Sequence, residues 1–378
     1  MNRNYFQAIA TLVGTIIGVG LFSIPFVIAK AGVLPLLLLL PALAFMQYQF
    51  HTYYAEIVMA ANEKHRLPGY VERYFGKKSR DLVLLIALVG SYGSLLAYII
   101  VGGIFLNQLL LPYFGSHLFF YTTLLFVLQA LIVLFGLKLI AKVEFFLTIL
   151  LLLTLMMIFG KSMSYFDINN FIPVNWLYFL LPYGPIFFAV GGDAAIPEVC
   201  RLLAGEKQQI KKAIAWGTYL PAFFTFLFVV AVVGVTGANT SPDTLVGLSA
   251  VFPKKVMDLA VGLGLLAIVT SFITVAQATK EIFYWDLHID KSISWLLALL
   301  PPFFLYLAGL QNLTKVVGFT GSVTGGLMGI ILIWVFFKVK NGSREGALIE
   351  SKLSRNMAIF LSCLFAAGFL YSFIEILI

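Results

Sequence analysis

Apolar runs long enough to cross a hydrocarbon core, which takes roughly 20 helical residues, recur along the whole of this 378-residue chain. That pattern leaves few options. Inside a bilayer every backbone N–H and C=O must be satisfied without water, so irregular chain cannot face lipid. Reading the runs against polar breaks gives an all-α integral membrane protein with eleven expected spans, near 5–29, 33–60, 82–112, 117–136, 139–160, 176–203, 213–236, 256–285, 292–310, 314–337 and 357–377. The third, sixth and eighth are long enough to tilt or to extend beyond the lipid. Composition points the same way: 61% of residues are hydrophobic, 11% are charged and the mean hydropathy is +0.98. A soluble domain could not hide that much apolar surface.

Charge sets the orientation. With the N-terminus inside, 20 of the 25 Lys and Arg fall on inner segments, and Lys30, Lys161, Lys254, Lys255 and Lys315 fall on outer ones. The positive-inside rule then predicts a cytoplasmic N-terminus and, after an odd number of spans, an external C-terminus. The expected location is the plasma membrane. Topology accounts for the net charge of +8, and no nucleic-acid partner is needed. Cys200 and Cys363 lie in or beside apolar runs and imply neither a disulfide framework nor a zinc site. No cleavable signal peptide is expected, because the first run lacks a small-residue cleavage site. Of two longer polar segments, 61–81 is expected to carry a short cytoplasmic surface helix, and 236–255 to lie outside, over a vestibule. The alternative for both is ordinary connecting loop.

Two spans carry helix breakers. The first reads ATLVGTIIGVGLFSIP over 10–25, with Gly14, Gly18, Gly20 and Pro25. The sixth reads LPYGPIFFAVGGDAAIPEV over 181–199, with Gly184, Pro185, Gly191, Gly192 and Pro197. Gly14 and Gly18 also have the small-xxx-small spacing of close helix packing, an alternative reading of the first span. Spans one and six are five apart, however. Five helices repeated in inverted orientation, with the first of each half discontinuous at mid-membrane, give that spacing. The expected units are 1–160 with spans one to five, 161–340 with spans six to ten, and 341–378 with the eleventh. Half-helix N-termini at such breaks offer N–H groups to a carboxylate, and unwound carbonyls can hold a cation or an ammonium group.

The stretches GTIIGVGLFSIP and FFAVGGDAAIPEV resemble the first and sixth helices of the amino acid–polyamine–organocation superfamily, and GLKLIAKVEFFLTILLLL at 136–153 resembles its fifth. With HRLPGYVERYFG and LLAYIIVGG, the nearest likeness is to its aromatic and neutral amino acid permeases, over about residues 5–337. The resemblance implies a leucine-transporter-type 5+5 fold and a secondary transporter that imports an amino acid by alternating access. It implies that the substrate carboxylate meets the N–H groups of Val19 and Gly20, with Gly18 providing the opening. The ammonium group would meet carbonyls of Ile16, Phe188, Ala189 and Gly191. Tyr92 and Tyr98 on the third span are candidates for a hydroxyl on the carboxylate, each with a competing role as a core or interface aromatic.

A coupling ion is the next question. Ala267, Thr270 and Ser271 share one face of the eighth span. With the open carbonyls of Gly14 and Ile17 they make a set of hard oxygen ligands suited to Na+. By resemblance, these positions match the cation site of sodium-coupled members of the fold. Thr270 and Ser271 could instead bond carbonyls of their own helix. Proton-coupled relatives place a fifth-helix lysine at this point. Leu151 occupies that position here, and the nearby Lys138 and Lys142 sit at the cytoplasmic end.

Intramembrane acids are functional suspects because burying them is costly. Asp193, just past the sixth break, is the candidate proton site or amine contact, or else a cap on the following half-helix. Glu198, Glu56 and Glu144 are expected to pair with cytoplasmic Lys and Arg. In the tenth span GFTGSVTGGLMG, 318–329, reads equally as pocket wall or close packing.

No enzyme is expected. There is no HExxH and no Asp pair at protease spacing, and His51, His65, His117 and His288 map toward span ends or loops. No cofactor is implied beyond the coupling ion, Na+ or H+. A divalent-metal carrier would want acidic, Asn and Met ligands at both breaks, which the first lacks. A sensor on the same fold would bind without flux. A neutral amino acid is the expected ligand, since no deep Arg or Lys could receive an anionic side chain. The aromatic preference comes from the resemblance alone.

Overall fold

The computed structural model describes residues 3–61, 64–135, 140–203, 206–242 and 251–342, with Thr244, Leu248, Ser249 and isolated positions between 356 and 370. The side chains of 140–145 and 340–342 are outside that description. The eleventh expected span and the 341–355 stretch thus lie largely outside the described residues, as do Lys138 and the side chains of Lys142 and Glu144. Among the described residues every regular element is helical. In chain order these are α1 (Arg3–Ile16), α2 (Gly20–Ala31), α3 (Val33–Ala61), α4 (Leu67–Phe75), α5 (Lys77–Phe114), α6 (Leu118–Phe135) and α7 (Ile140–Ser162). They continue with α8 (Tyr183–Ala189), α9 (Ile196–Leu202), α10 (Lys207–Thr236), α11 (Lys254–Glu281), α12 (Lys291–Leu307), α13 (Leu313–Phe319) and α14 (Gly326–Gly342).

Among the described residues six helices are long and apolar enough to cross a membrane alone, and the α1–α2 pair makes a seventh. Helix occupies each of the first ten expected spans. The first is broken at Ile17–Val19 and bent by 50°. There Gly18 N–H turns back to the Ile16 carbonyl at 2.9 Å, and Leu21 N–H reaches Gly18 O at 3.3 Å, so the α-ladder lapses for one turn. The sixth is broken more severely. Its halves α8 and α9 have seven residues each, with Val190–Gly192 and a 3₁₀ turn at Asp193–Ala195 between them. Neither half spans a bilayer by itself. The tenth carries a π segment, Thr320–Gly325, between α13 and α14. Widened turns of this kind are often found at functional sites.

Two apolar cores flank the broken spans. One gathers mainly α3, α8, α9, α10 and α14, including Leu40, Phe50, Ile186, Phe187 and Phe336. The other gathers mainly α5, α6, α7, α11 and α12, including Leu95, Phe105, Phe126, Leu151, Ile268 and Phe272. The first span divides its side chains between them. Leu12, Ile16 and Ile24 belong to the first core, and Val13, Ile17, Leu21 and Phe22 to the second. The breaks therefore sit on the seam between two separately packed bodies.

The 61–81 segment holds a short helix, as expected, but α4 is more than a surface element. Leu67, Pro68, Gly69, Tyr70 and Val71 are buried. No side chain of its own caps its N-terminus. Asp286, 220 residues away from Arg66 in sequence, supplies the acceptor instead. Its carboxylate takes the N–H groups of Arg66 at 3.1 Å and Gly69 at 3.0 Å. A carboxylate is favoured there by the orphan donors and the positive end of the helix dipole. On the opposite expected side, Thr244 donates its hydroxyl to the Phe22 carbonyl of α2, so part of the 236–255 segment does lie against the first span.

Candidate functional site

The two helix breaks touch, and glycine is what lets them. A Cβ on Gly20 would stand 2.7 Å from Ala189 Cα and 2.8 Å from Phe188 Cδ1, closer than real side chains approach. One on Gly18 would stand 3.2 Å from Ser271 Oγ and from the Tyr98 ring. The open-backbone and close-packing readings of these glycines are thus both realised, at neighbouring residues.

A cavity of about 210 Å³ opens at this meeting point. It is smaller than the ~300–1,000 Å³ of sites for drug-sized ligands, as a site for one amino acid would be. Ile16, Gly18, Gly20, Tyr98, Phe188, Gly191 and Asp193 all line it. Thr320, Gly321, Thr324 and Gly325 of the π segment form another wall, so the tenth span contributes pocket surface. Of the expected carbonyls, Ile16 O accepts from Gly18 and Phe188 O accepts from Gly191 at 3.2 Å. Each keeps a second lone pair for a ligand donor.

The lining is not the whole of the expected set. Val19 and Ala189 are buried in separate cores and are not among the residues that line the cavity. Tyr92 is a correction. Its hydroxyl donates to the Leu297 carbonyl of α12 at 2.7 Å, which ties two helices together and leaves it off the cavity wall. Tyr98 is buried and lines the wall, its ring and hydroxyl packed with Ser271 Oγ around Gly18. The expected cation ligands divide in two. Ser271 Oγ crosses from α11 to the Gly14 carbonyl at 3.0 Å. Thr270 Oγ1 stays on its own helix, donating to Ala267 O at 3.0 Å. Leu151 is buried in the same core as Ile17 and Ala267, so the position holds a hydrocarbon and no ammonium group. Among the described residues no three His, Cys, Asp or Glu come together as a metal site.

His51 corrects the placement of the histidines at span ends or loops. It is 0% exposed and lies against the sixth break. Gly192 N–H donates to its Nε2 at 3.1 Å, and Thr218 of α10 faces its Nδ1 at 2.9 Å. An N–H donor at Nε2 requires that nitrogen to be bare, so the ring is neutral with its proton on Nδ1. Gln47, one turn earlier on the same face, donates to Phe187 O at 3.4 Å. A polar pair four residues apart inside an apolar span is the signal that could have revealed both.

One end of the cavity is closed by Arg66, just before α4. Its Nη2 and Nε reach Glu281 Oε2 at 2.5 and 3.0 Å, and its Nη1 reaches the Ala194 carbonyl at 2.8 Å. Burial works against the guanidinium charge, but the Glu281 carboxylate outweighs it and raises the pKa above the ordinary arginine value. Three elements meet in this one side chain: the sixth break, the end of α11 and α4. Glu198 pairs with a basic residue, Arg201 on its own short helix, at 2.6 Å.

Two helix breaks thus meet at a cavity between the two apolar cores. The tryptophan/tyrosine permease family matches the chain over residues 1–373. The chain belongs to that family. It is a multi-pass membrane transporter, and not an enzyme. Among its relatives is the tyrosine-specific transport system 1 of Haemophilus influenzae, 25% identical over 284 residues that cover 71% of this chain and 70% of that protein. In overall fold it is similar to MhsT, solved in complex with L-phenylalanine, with a TM-score of 0.73 at 15% identity over 99% of this chain and 98% of that one.

Proposed function

We propose that this permease carries an aromatic amino acid, tyrosine or tryptophan, by alternating access. The observation that carries the reading is the apposition of Gly18 and Gly20 with Phe188, Gly191 and Asp193 around one cavity. In it the carboxylate turns to the start of α2, where the first N–H groups of a helix have no intrahelical acceptor. The ammonium group turns to the carbonyls at the end of α1 and α8. The names of the family and of the Haemophilus relative support the substrate class. Two apolar cores meeting at the broken spans support rocking of one body on the other. The charge asymmetry favours a cytoplasmic N-terminus, which puts the Arg66 closure on the cytoplasmic side.

For the coupling ion the leading reading is Na+, held by the carbonyls of Gly14 and Ile17 with Ala267, Thr270 and Ser271. It is supported by the Ser271–Gly14 contact and by the absence of a lysine at Leu151. Uptake of labelled tyrosine and tryptophan into proteoliposomes, under a sodium gradient and separately under a proton gradient, tests both parts. Sodium-driven uptake that Ser271→Ala weakens about tenfold supports this site. Proton-driven uptake with no sodium response overturns it, and uptake of neither amino acid overturns the substrate.

The two tyrosines should also separate. Tyr98→Phe should lower ligand affinity by about 10-fold or more, the worth of a hydrogen bond to a charged group at ~1.5–3 kcal/mol. Tyr92→Phe should leave affinity unchanged and cost only about 1 kcal/mol of stability through the lost Leu297 contact. Equilibrium binding and thermal melting of both variants check this.

A further inference from the structure

We infer that His51 and Asp193 together form a proton-binding site that competes with the ammonium group of the transported amino acid for the Asp193 carboxylate. The inference rests on the proposed amino acid ligand but not on which ion drives transport. Asp193 stands between two environments. Its side chain is 46% exposed and lines the cavity, yet its Oδ1 is buried with no hydrogen-bond partner. That orphaned oxygen lies 3.5 Å from His51 Nε2.

Among the described residues no further charged group meets the pair directly. From α10 the ring meets the neutral Thr218. From α9 Cys200 is turned to the Ala55 carbonyl. Tyr54, on the next turn of α3, feels both Asp193 and Arg66. Toward α4, Arg66 reaches Ala194 O, beside Asp193, but its charge is engaged by Glu281. On α8 the Tyr183 ring stacks on Phe187, and neither α2 nor α14 brings a charged group to the imidazole. Among the described residues His51 is therefore the only partner within ion-pairing distance of Asp193.

Two states follow. With the ring neutral, Nε2 accepts from Gly192 and the carboxylate presents a full negative charge to the cavity, where an ammonium group is its natural counter-ion. A proton taken up at Nε2 turns that nitrogen into a donor. The Gly192 N–H must then move away, and the imidazolium N–H turns to Asp193 Oδ1. The product is a hydrogen-bonded ion pair of zero net charge at the cavity wall, which no longer calls for a cation. Proton and ammonium group thus exclude one another, and one proton leaves to solvent when the amino acid binds. The same step also removes one tie between α3 and the sixth break, the Gly192 bond, while Gln47 keeps its contact with Phe187 O.

The test uses the full-length protein in nanodiscs with L-tyrosine and L-tryptophan as probes. Measured from about pH 4 to 8, which spans the ordinary carboxyl and imidazole ranges, affinity should rise with pH by up to about tenfold per unit, the limit for a single competing proton. Calorimetry in buffers of different ionisation enthalpy should report about one proton released. His51→Gln can still accept from Gly192 and donate to Thr218, so it should fold while losing both effects. Independently of any ligand, the His51 signal in ¹⁵N-histidine spectra, assigned by its loss in His51→Gln, should move in Asp193→Asn. Affinity that does not change with pH in the unmodified protein overturns the site, as does an unaltered pH slope in His51→Gln. If neither amino acid binds but the His51 signal still responds to Asp193→Asn, the proposed substrate fails and the proton site stands. A His51 signal indifferent to Asp193→Asn overturns the site.

Discussion

Gly20→Val is expected to abolish amino acid binding. The methylene-free Cα of Gly20 is where the first broken span rests on the sixth, and the nearest obstacle to a Cβ is Ala189 Cα, a backbone atom that cannot rotate away. Overpacking of a tight contact costs typically ~1–3 kcal/mol. The upper end applies here, because either α2 or α8 must shift and both carry ligand-facing backbone. A displacement worth ~3 kcal/mol lowers affinity roughly 100-fold. Valine adds a second effect, since its branched side chain would shade the N–H at the start of α2. Gly20→Ala should fall between, with only the first effect present. Tryptophan binding measured beside thermal melting separates the two. Loss of binding with the melt retained locates the ligand at the break, and full affinity in Gly20→Val would remove it from there.

Arg66→Met should cut uptake by an order of magnitude and destabilise the fold. It leaves the Glu281 carboxylate, 13% exposed, without its guanidinium, and the Ala194 carbonyl without its donor. Removing one partner of a buried pair costs ~3–5 kcal/mol, and the partial exposure puts this case at the lower end. Gln277, which also reaches Glu281 at 2.8 Å, recovers a little of it. The double variant Arg66→Met with Glu281→Leu removes the stranded charge, so melting should recover toward that of the unmodified protein. Uptake should not recover, because the tie from α4 to the sixth break is still missing. Normal uptake in Arg66→Met would reduce the contact to a surface tie with no part in closing the cavity.

Much of this was legible in the residues. Breakers in spans one and six, five spans apart, located both discontinuities, because a glycine–proline cluster weakens a helix wherever it sits. The spacing of Thr270 and Ser271 put their hydroxyls on one face, and only Ser271 crosses to Gly14. Tyr92 and Tyr98, six apart on one helix, could not be told apart by type. Their directions differ, and a neighbouring carbonyl claims one hydroxyl. His51 was discounted for its position near the end of an apolar run, yet the chain places it against the sixth break.

The sequence by itself determined the membrane class, the helical elements and the two places where the backbone opens, since hydropathy, length and helix-breaking residues act locally. Only the tertiary structure decided what those openings face. The Gly20–Ala189 contact joins residues 169 apart, Arg66 meets Glu281 across 215, and His51 meets Gly192 across 141. Pairings over such distances depend on how separate helices pack, and no local pattern in the chain encodes which side chain a given donor will find.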